Sequence, residues 1–194
     1  MSISPLDGLT FDDVLLIPQY SDLTSRSQTD ISTRLGTIDL KIPIISANMD
    51  TITDFHMAKA MAQEGCLGIL HRYSHASFIA EDLQQLMNEK HVAVPSIGVL
   101  PEDYDKAVTY REYTDSICVD VAHGDSALVC AMVTSLVKLG YKNIIAGNVV
   151  TDNAVKRLVA AGANIIKVGV GPGSVCTTRI VTGHGFPQLT AVEQ

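Results

Sequence analysis

Residues 167–179 run Lys167-Val168-Gly169-Val170-Gly171-Pro172-Gly173-Ser174-Val175-Cys176-Thr177-Thr178-Arg179 and set one cysteine among glycines, hydroxyls and a cation, directly after an apolar strand. Glycines let a backbone take positive φ and approach a ligand closely. Ser174, Thr177, Thr178 and Arg179 are donors that can hold a thiolate or an anion. The chemistry this suggests is nucleophilic attack by Cys176. A turn around a small buried thiol is the alternative, since a free cysteine often packs as a small apolar residue.

A nucleophile needs a frame, and the chain supplies a repeating one. From residue 42 onward, apolar β-rich runs alternate with helical patterns, as in βα units around a parallel sheet. Strands are predicted at 42–46, 67–70, 95–99, 116–120, 143–147 and 165–168, mostly as continuous apolar runs, as expected of strands covered on both faces. Helices are predicted from Thr53 or Asp54 to Gly65, over 77–89, from Ser126 to Gly140, and from Asp152 to about Gly162. The apolar stripe of the second contains Ile79, Leu83, Leu86 and Met87. That of the third contains Leu128, Val129, Met132, Val133, Leu136 and Val137.

Polar residues gather just after the strands: Asn48 and Asp50, His71 and Arg72, Asp120 and His123, Asn148 and Thr151, then the cysteine loop. A (β/α)8 TIM barrel builds its site from those strand ends. A Rossmann sheet fits less well, because no GxGxxG follows the first strand and Gly169–Gly173 leads into Ser-Val-Cys. The expected fold is therefore α/β, a (β/α)8 barrel that is incomplete, with about six of eight βα units and two missing beyond Gln194. Residues 1–194 read as one barrel domain. The chain would then be a fragment, or its remainder would come from another polypeptide.

Composition narrows the partners. A net charge of −7 and the lack of a basic run argue against nucleic acid. No apolar run approaches the roughly 18 residues of a membrane span, and Met1 is not followed by a secretory leader pattern. A soluble, cytoplasmic protein acting on small molecules is expected. Cysteines at 66, 118, 130 and 176 have neither zinc nor disulfide spacing. His71, His123 and His184 give no metal triad.

Several stretches together resemble the IMP dehydrogenase/GMP reductase family: Leu9–Pro18 (Leu-Thr-Phe-Asp-Asp-Val-Leu-Leu-Ile-Pro), Ser46–Thr51, Ala146–Val149, Gly169–Arg179 and Gly183–Gln188. The resemblance covers nearly the whole chain and implies a (β/α)8 barrel, usually assembled as a homotetramer. It implies that Cys176 attacks C2 of a purine nucleoside monophosphate while a nicotinamide carries hydride, and that Thr178 shares in proton transfer with a carboxylate beyond Gln194. Asp120, Val121 and Ala122 match the segment beside the nicotinamide ribose, with Val170 and Gly171 close to the same cofactor. Ser25 and Arg26 resemble a segment that meets the adenosine end of NADPH. Arg72 stands where many reductases carry lysine. A site for K+ or another monovalent cation is implied at Gly171, Gly173, Cys176 and Arg179.

Within the family, only about 45 residues separate Leu70 from Ser116, too few for the inserted regulatory CBS modules usual in the dehydrogenases. With Asn48 and the Ser25-Arg26 pair, this favours the NADPH-dependent reduction of GMP to IMP. Oxidation of IMP with NAD, by a dehydrogenase lacking those modules, is the alternative. A flap that would separate the two lies beyond residue 194. The third reading is a half-barrel without catalysis that serves as an interaction subunit, because the phosphate-binding loops after the last two strands are expected beyond this chain.

Overall fold

The computed structural model describes residues 8–194. The leader question at Met1 falls outside the described residues. Residues 9–32 run along the surface with two single-turn 3-10 helices, Phe11–Asp13 and Arg26–Gln28. A hairpin follows, β1 (Thr33–Leu35) paired antiparallel with β2 (Ile38–Leu40). The remaining elements alternate as β3 (Ile45–Ser46), α1 (Phe55–Gln63), β4 (Leu67–Leu70), α2 (Ala76–Asn88), β5 (Val94–Ile97), α3 (Pro101–Tyr110), β6 (Ser116–Asp120), α4 (Ala127–Lys138), β7 (Asn143–Val149), α5 (Asp152–Ala161) and β8 (Ile165–Val168). Two short helices, α6 (Thr178–Thr182) and α7 (Gln188–Glu193), close the order.

Strands β3 to β8 form one parallel sheet in sequential order. A flat sheet of six strands would put its edges about 24 Å apart, at roughly 4.8 Å per neighbour. Here Lys167 on β8 reaches Asn48, just after β3, with Nζ to Oδ1 at 2.7 Å. The sheet is therefore curled into an incomplete (β/α)8 barrel, six of the eight units, as the strand rhythm predicts.

Helix starts follow local chemistry. Asp54 accepts a hydrogen bond from the Met57 amide, Ser126 from Val129 and Thr151 from Ala154, each supplying a partner for an orphan first-turn donor. Outside the sheet, Leu83, Leu86, Ile117, Val133, Leu136 and Leu158 are fully buried between helices and strands. The stripes are narrower than the sequence suggests: Met87, Leu128 and Val137 face solvent. Helix α3 is not marked by the apolar rhythm, since charged and polar residues dominate it. It starts with Pro101 at its first turn, and Asp103 accepts from the Leu100 amide at 3.1 Å.

Inside the curl, Leu67, Ile69, Val94, Cys118, Ile145 and Ile165 pack with Ile38 and Leu40 of the hairpin. The hairpin plugs the amino-terminal end of the sheet. Thr37 N donates to Asn143 Oδ1 at 2.8 Å, and Asn143 Nδ2 reaches Thr37 Oγ1 and Ser116 Oγ. A hollow of about 630 Å³ remains on the outside of that end, between Thr37, Arg111 and Ser116, but the polar residues singled out in the sequence lie at the carboxyl ends of the strands.

Gly68 lets α1 lie on β4, because a methyl there would stand 2.5 Å from Ala58 Cα. Gly68→Ala is expected to lower unfolding free energy by about 1–3 kcal/mol in urea titrations, through overpacking. Gly183→Ala meets no atom within 4 Å and strains only its left-handed φ of +68°, so it should cost about 1 kcal/mol. Equal losses would show that the close helix approach does not set the packing.

Candidate active site

The loop after β8 is held on several sides. Gly169 N donates to Val149 O at 2.8 Å, Gln188 Nε2 to Val168 O at 2.9 Å, and Phe186 N to Val170 O at 3.0 Å. Gly169 and Gly171 adopt φ of +130° and +72°, conformations that a side chain would strain. A Cβ on Gly171 would stand 2.6 Å from Arg179 Cγ, so the arginine stem packs directly against this loop.

Cys176 ends the loop, its amide donating to Gly173 O at 3.0 Å, and helix α6 starts two residues later. Its sulfur is partly exposed and lies 3.3 Å from Thr178 Oγ1. The Thr178 hydroxyl and then the Thr178 backbone N–H hold the thiol below its ordinary range, and the Arg179 charge adds a smaller attraction. Cys118 shows the opposite case. Fully buried on β6, it is pushed up to about 12 by loss of solvation and stays a protonated packing residue.

The sequence-derived residues divide between places. Arg72, after β4, Asp120, Val121 and Ala122, at the end of β6, and Val170, Gly171, Cys176 and Thr178 all line one cleft of about 400 Å³. Gly173 is exposed, and its carbonyl already accepts the Cys176 amide. Arg179 borders a separate hollow of about 250 Å³ with Gly171, Pro172 and Phe186. Ser25 and Arg26 sit on the exposed 3-10 turn of the amino-terminal arm and do not line the cleft. His71 is buried, its Nδ1 accepting from Tyr73 N at 3.2 Å, while His184 Nδ1 donates to Thr182 O at 2.7 Å.

Beside the cleft, a larger cavity of about 690 Å³ opens inside the curl and shares Asp120, Asn148 and Tyr73 with it. Lys167 lines this cavity and was not singled out by sequence. Its signal is a lone cation inside Ile165-Ile166-Lys167-Val168. Asn148 occupies a register shift of β7 between Gly147 and Val149, a device that re-aims side chains near sites. Its Nδ2 donates to Gly169 O at 3.0 Å.

Buried polar atoms without a partner mark where a ligand would be met. Asn48 Nδ2, Arg72 Nε and Asn148 Oδ1 are such atoms among the described residues, and all three border these cavities. A ribose or carboxamide fits this mixture of donors and acceptors, and the partly exposed Asp120 carboxylate suits ribose hydroxyls.

Fold and site together define an incomplete parallel α/β barrel with a cleft at the carboxyl ends of its strands and a cysteine loop after the sixth. The model for the IMP dehydrogenase / GMP reductase domain matches residues 8–194. The GMP reductase of Aliivibrio salmonicida is 40% identical over 197 residues, covering 95% of this chain and 56% of that protein. The GMP reductase of Klebsiella pneumoniae is 40% identical over 195 residues, with the same coverage. That of Shewanella pealeana is 39% identical over 197 residues. The chain belongs to the IMP dehydrogenase/GMP reductase family and spans about half the length of these curated relatives.

Thr178→Val removes the largest cause of the lowered Cys176 pKa. The midpoint of the pH profile for iodoacetamide alkylation should move up, and the rate at pH 7 should fall. Arg179→Met should shift it less. An unchanged Thr178→Val profile would remove the hydroxyl from thiolate stabilisation.

Proposed function

We propose that this chain carries the nucleophile and cofactor face of a GMP reductase-type oxidoreductase, reducing GMP to IMP with NADPH through a covalent bond to Cys176. The observation that carries this reading is that Cys176, held toward its thiolate, lines the same cleft as Asp120 and Arg72. The relatives named GMP reductase support the substrate class.

In this reading Cys176 Sγ bonds to C2 of the purine, and the 2-amino group leaves as ammonia once protonated. The nicotinamide, when bound, supplies hydride to C2. The C2–S bond then breaks, returning the thiolate and releasing IMP. Splitting the substitution through a covalent adduct lowers each barrier. Thr178 Oγ1, 3.3 Å from the sulfur, hydrogen-bonds the thiolate and shares in passing on the proton that the departing amine takes up. Asp120 accepts from ribose hydroxyls, Val121, Ala122, Val170 and Gly171 wall the ring, and Arg72 Nε donates to a ligand oxygen.

NADPH rather than NADH rests on Ser25 and Arg26, whose exposed guanidinium suits an additional phosphate. Carbonyls of Gly171, Gly173 and Cys176 would hold K+ or a similar cation, a hard ion that takes oxygen donors, while Arg179 packs against the loop through its stem. We read residues 1–194 as one barrel domain without inserted CBS modules, from a cytoplasmic protein that forms a homotetramer when its barrel is complete.

Incubation with GMP and NADPH, followed at 340 nm, should show loss of NADPH, and Cys176→Ala should abolish it. GMP should also slow alkylation of Cys176, a readout that requires no turnover. NADH gain with IMP and NAD would instead establish the dehydrogenase direction. No protection by either nucleotide would establish the inactive half-barrel.

A further inference from the structure

Lys167 is the only charged residue of β8 and stands opposite Gly147 of β7. Its ammonium lies 2.5 Å from Asp120 Oδ1 and 2.7 Å from Asn48 Oδ1. These partners come from the end of β6 and from the segment after β3, at the opposite edge of the sheet. One cation therefore joins the first, fourth and sixth strands of the curl at its mouth.

The contacts also fix which atoms remain for a ligand. Asp120 spends Oδ1 on the ammonium, leaving Oδ2 outside that contact. Asn48 is 8% exposed and lines the cavity with its Oδ1 turned to Lys167, so its buried Nδ2, without a partner, is the donor left for a ligand that reaches this side chain. An amide can present either end, and an ammonium has donors only, so the cation decides the flip. Both are charge-assisted bonds, about twice as strong as neutral ones.

We propose that Lys167 is a positioning residue that orients Asp120 toward the cofactor, polarises Asn48 so that its amide N–H meets a ligand acceptor oxygen, and tethers the 47–52 segment across the open mouth of the barrel. The part that concerns the cofactor rests on the reading under Proposed function, whereas the tether does not.

The test uses the 194-residue chain with two readouts, amide hydrogen exchange and NADPH binding by fluorescence. Lys167→Met should raise exchange at residues 47–52 by about tenfold or more, the scale of a lost charge-assisted bond, and leave β5 unchanged. NADPH binding should weaken by a similar factor, as in Asp120→Asn, and the double variant should bind no worse than either single one. Lys167→Arg should recover most of both losses.

Wild-type exchange at 47–52 in Lys167→Met would overturn the tether. Full additivity of the two substitutions on NADPH binding would overturn the positioning of Asp120. If Lys167→Met does not fold, Asn48→Leu decides: exchange at 47–52 must rise. If the wild-type chain binds no NADPH, the cofactor reading fails and the exchange result still decides the tether.

Discussion

Hydrogen bonding of six parallel strands in sequence leaves almost no freedom about where polar chemistry can go. Each crossover returns the chain through a helix on the outside, so β4, β5 and most of β6 and β7 are buried on both faces. A charged group in the middle of such strands would lose its solvation without a partner. At the amino-terminal end, the β1–β2 hairpin packs its apolar side into the curl and Asn143 ties it to β6 and β7. The carboxyl ends remain, and Asn48, Arg72, Asp120, Asn148 and Lys167 converge there from five different strands or the loops that follow them.

Burial then assigns different chemistry to identical side chains. Cys118 and Cys176 follow apolar stretches alike, but the first points into the dry interior of the curl, and its thiolate form is excluded. The second stands at the start of a short helix, with a hydroxyl and a backbone amide aimed at its sulfur. The difference comes from the loop. Gly169 and Gly171 turn the chain sharply out of β8, and the Gln188 side chain with the Phe186 and Val149 backbones holds the loop's main chain there, independent of the loop's own side chains. The cysteine therefore sits on a support braced from outside the loop.

Strand and helix alternation was legible because buried parallel strands read as uninterrupted apolar runs: Leu67–Leu70, Ser116–Asp120 and Ile165–Val168 lie where their residues predict. Helix α3 escaped because its stability comes from Pro101, Asp103 and a few buried contacts rather than from a broad apolar stripe. The β1–β2 hairpin escaped because three-residue strands carry too little pattern. In the site, Cys176, Thr178, Asp120 and Arg72 were legible from type and position after strands, and the cleft brings them together. Ser25 and Arg26, legible only by resemblance, lie on the exposed arm. Lys167 was hidden because one lysine within an apolar run carries no periodic signal. Its meaning depends on Asn48, 119 positions away in sequence, and only the curl creates that proximity.

Within the described residues the sheet ends at β3 on one side and β8 on the other, and the edge strand of a sheet is a template for pairing. The two are blunted differently. Strand β3 is only two residues long, so it offers little backbone to a foreign strand. On β8, the Gln188 side chain covers the Val168 carbonyl, and the segment leading into α7 folds back over the strand's end, with Phe186 N on Val170 O. The same residues that brace the cysteine loop therefore shield the sheet edge. Order at this end of the sheet and placement of Cys176 rest on one set of contacts, so a change that loosens residues 186–188 acts on both at once.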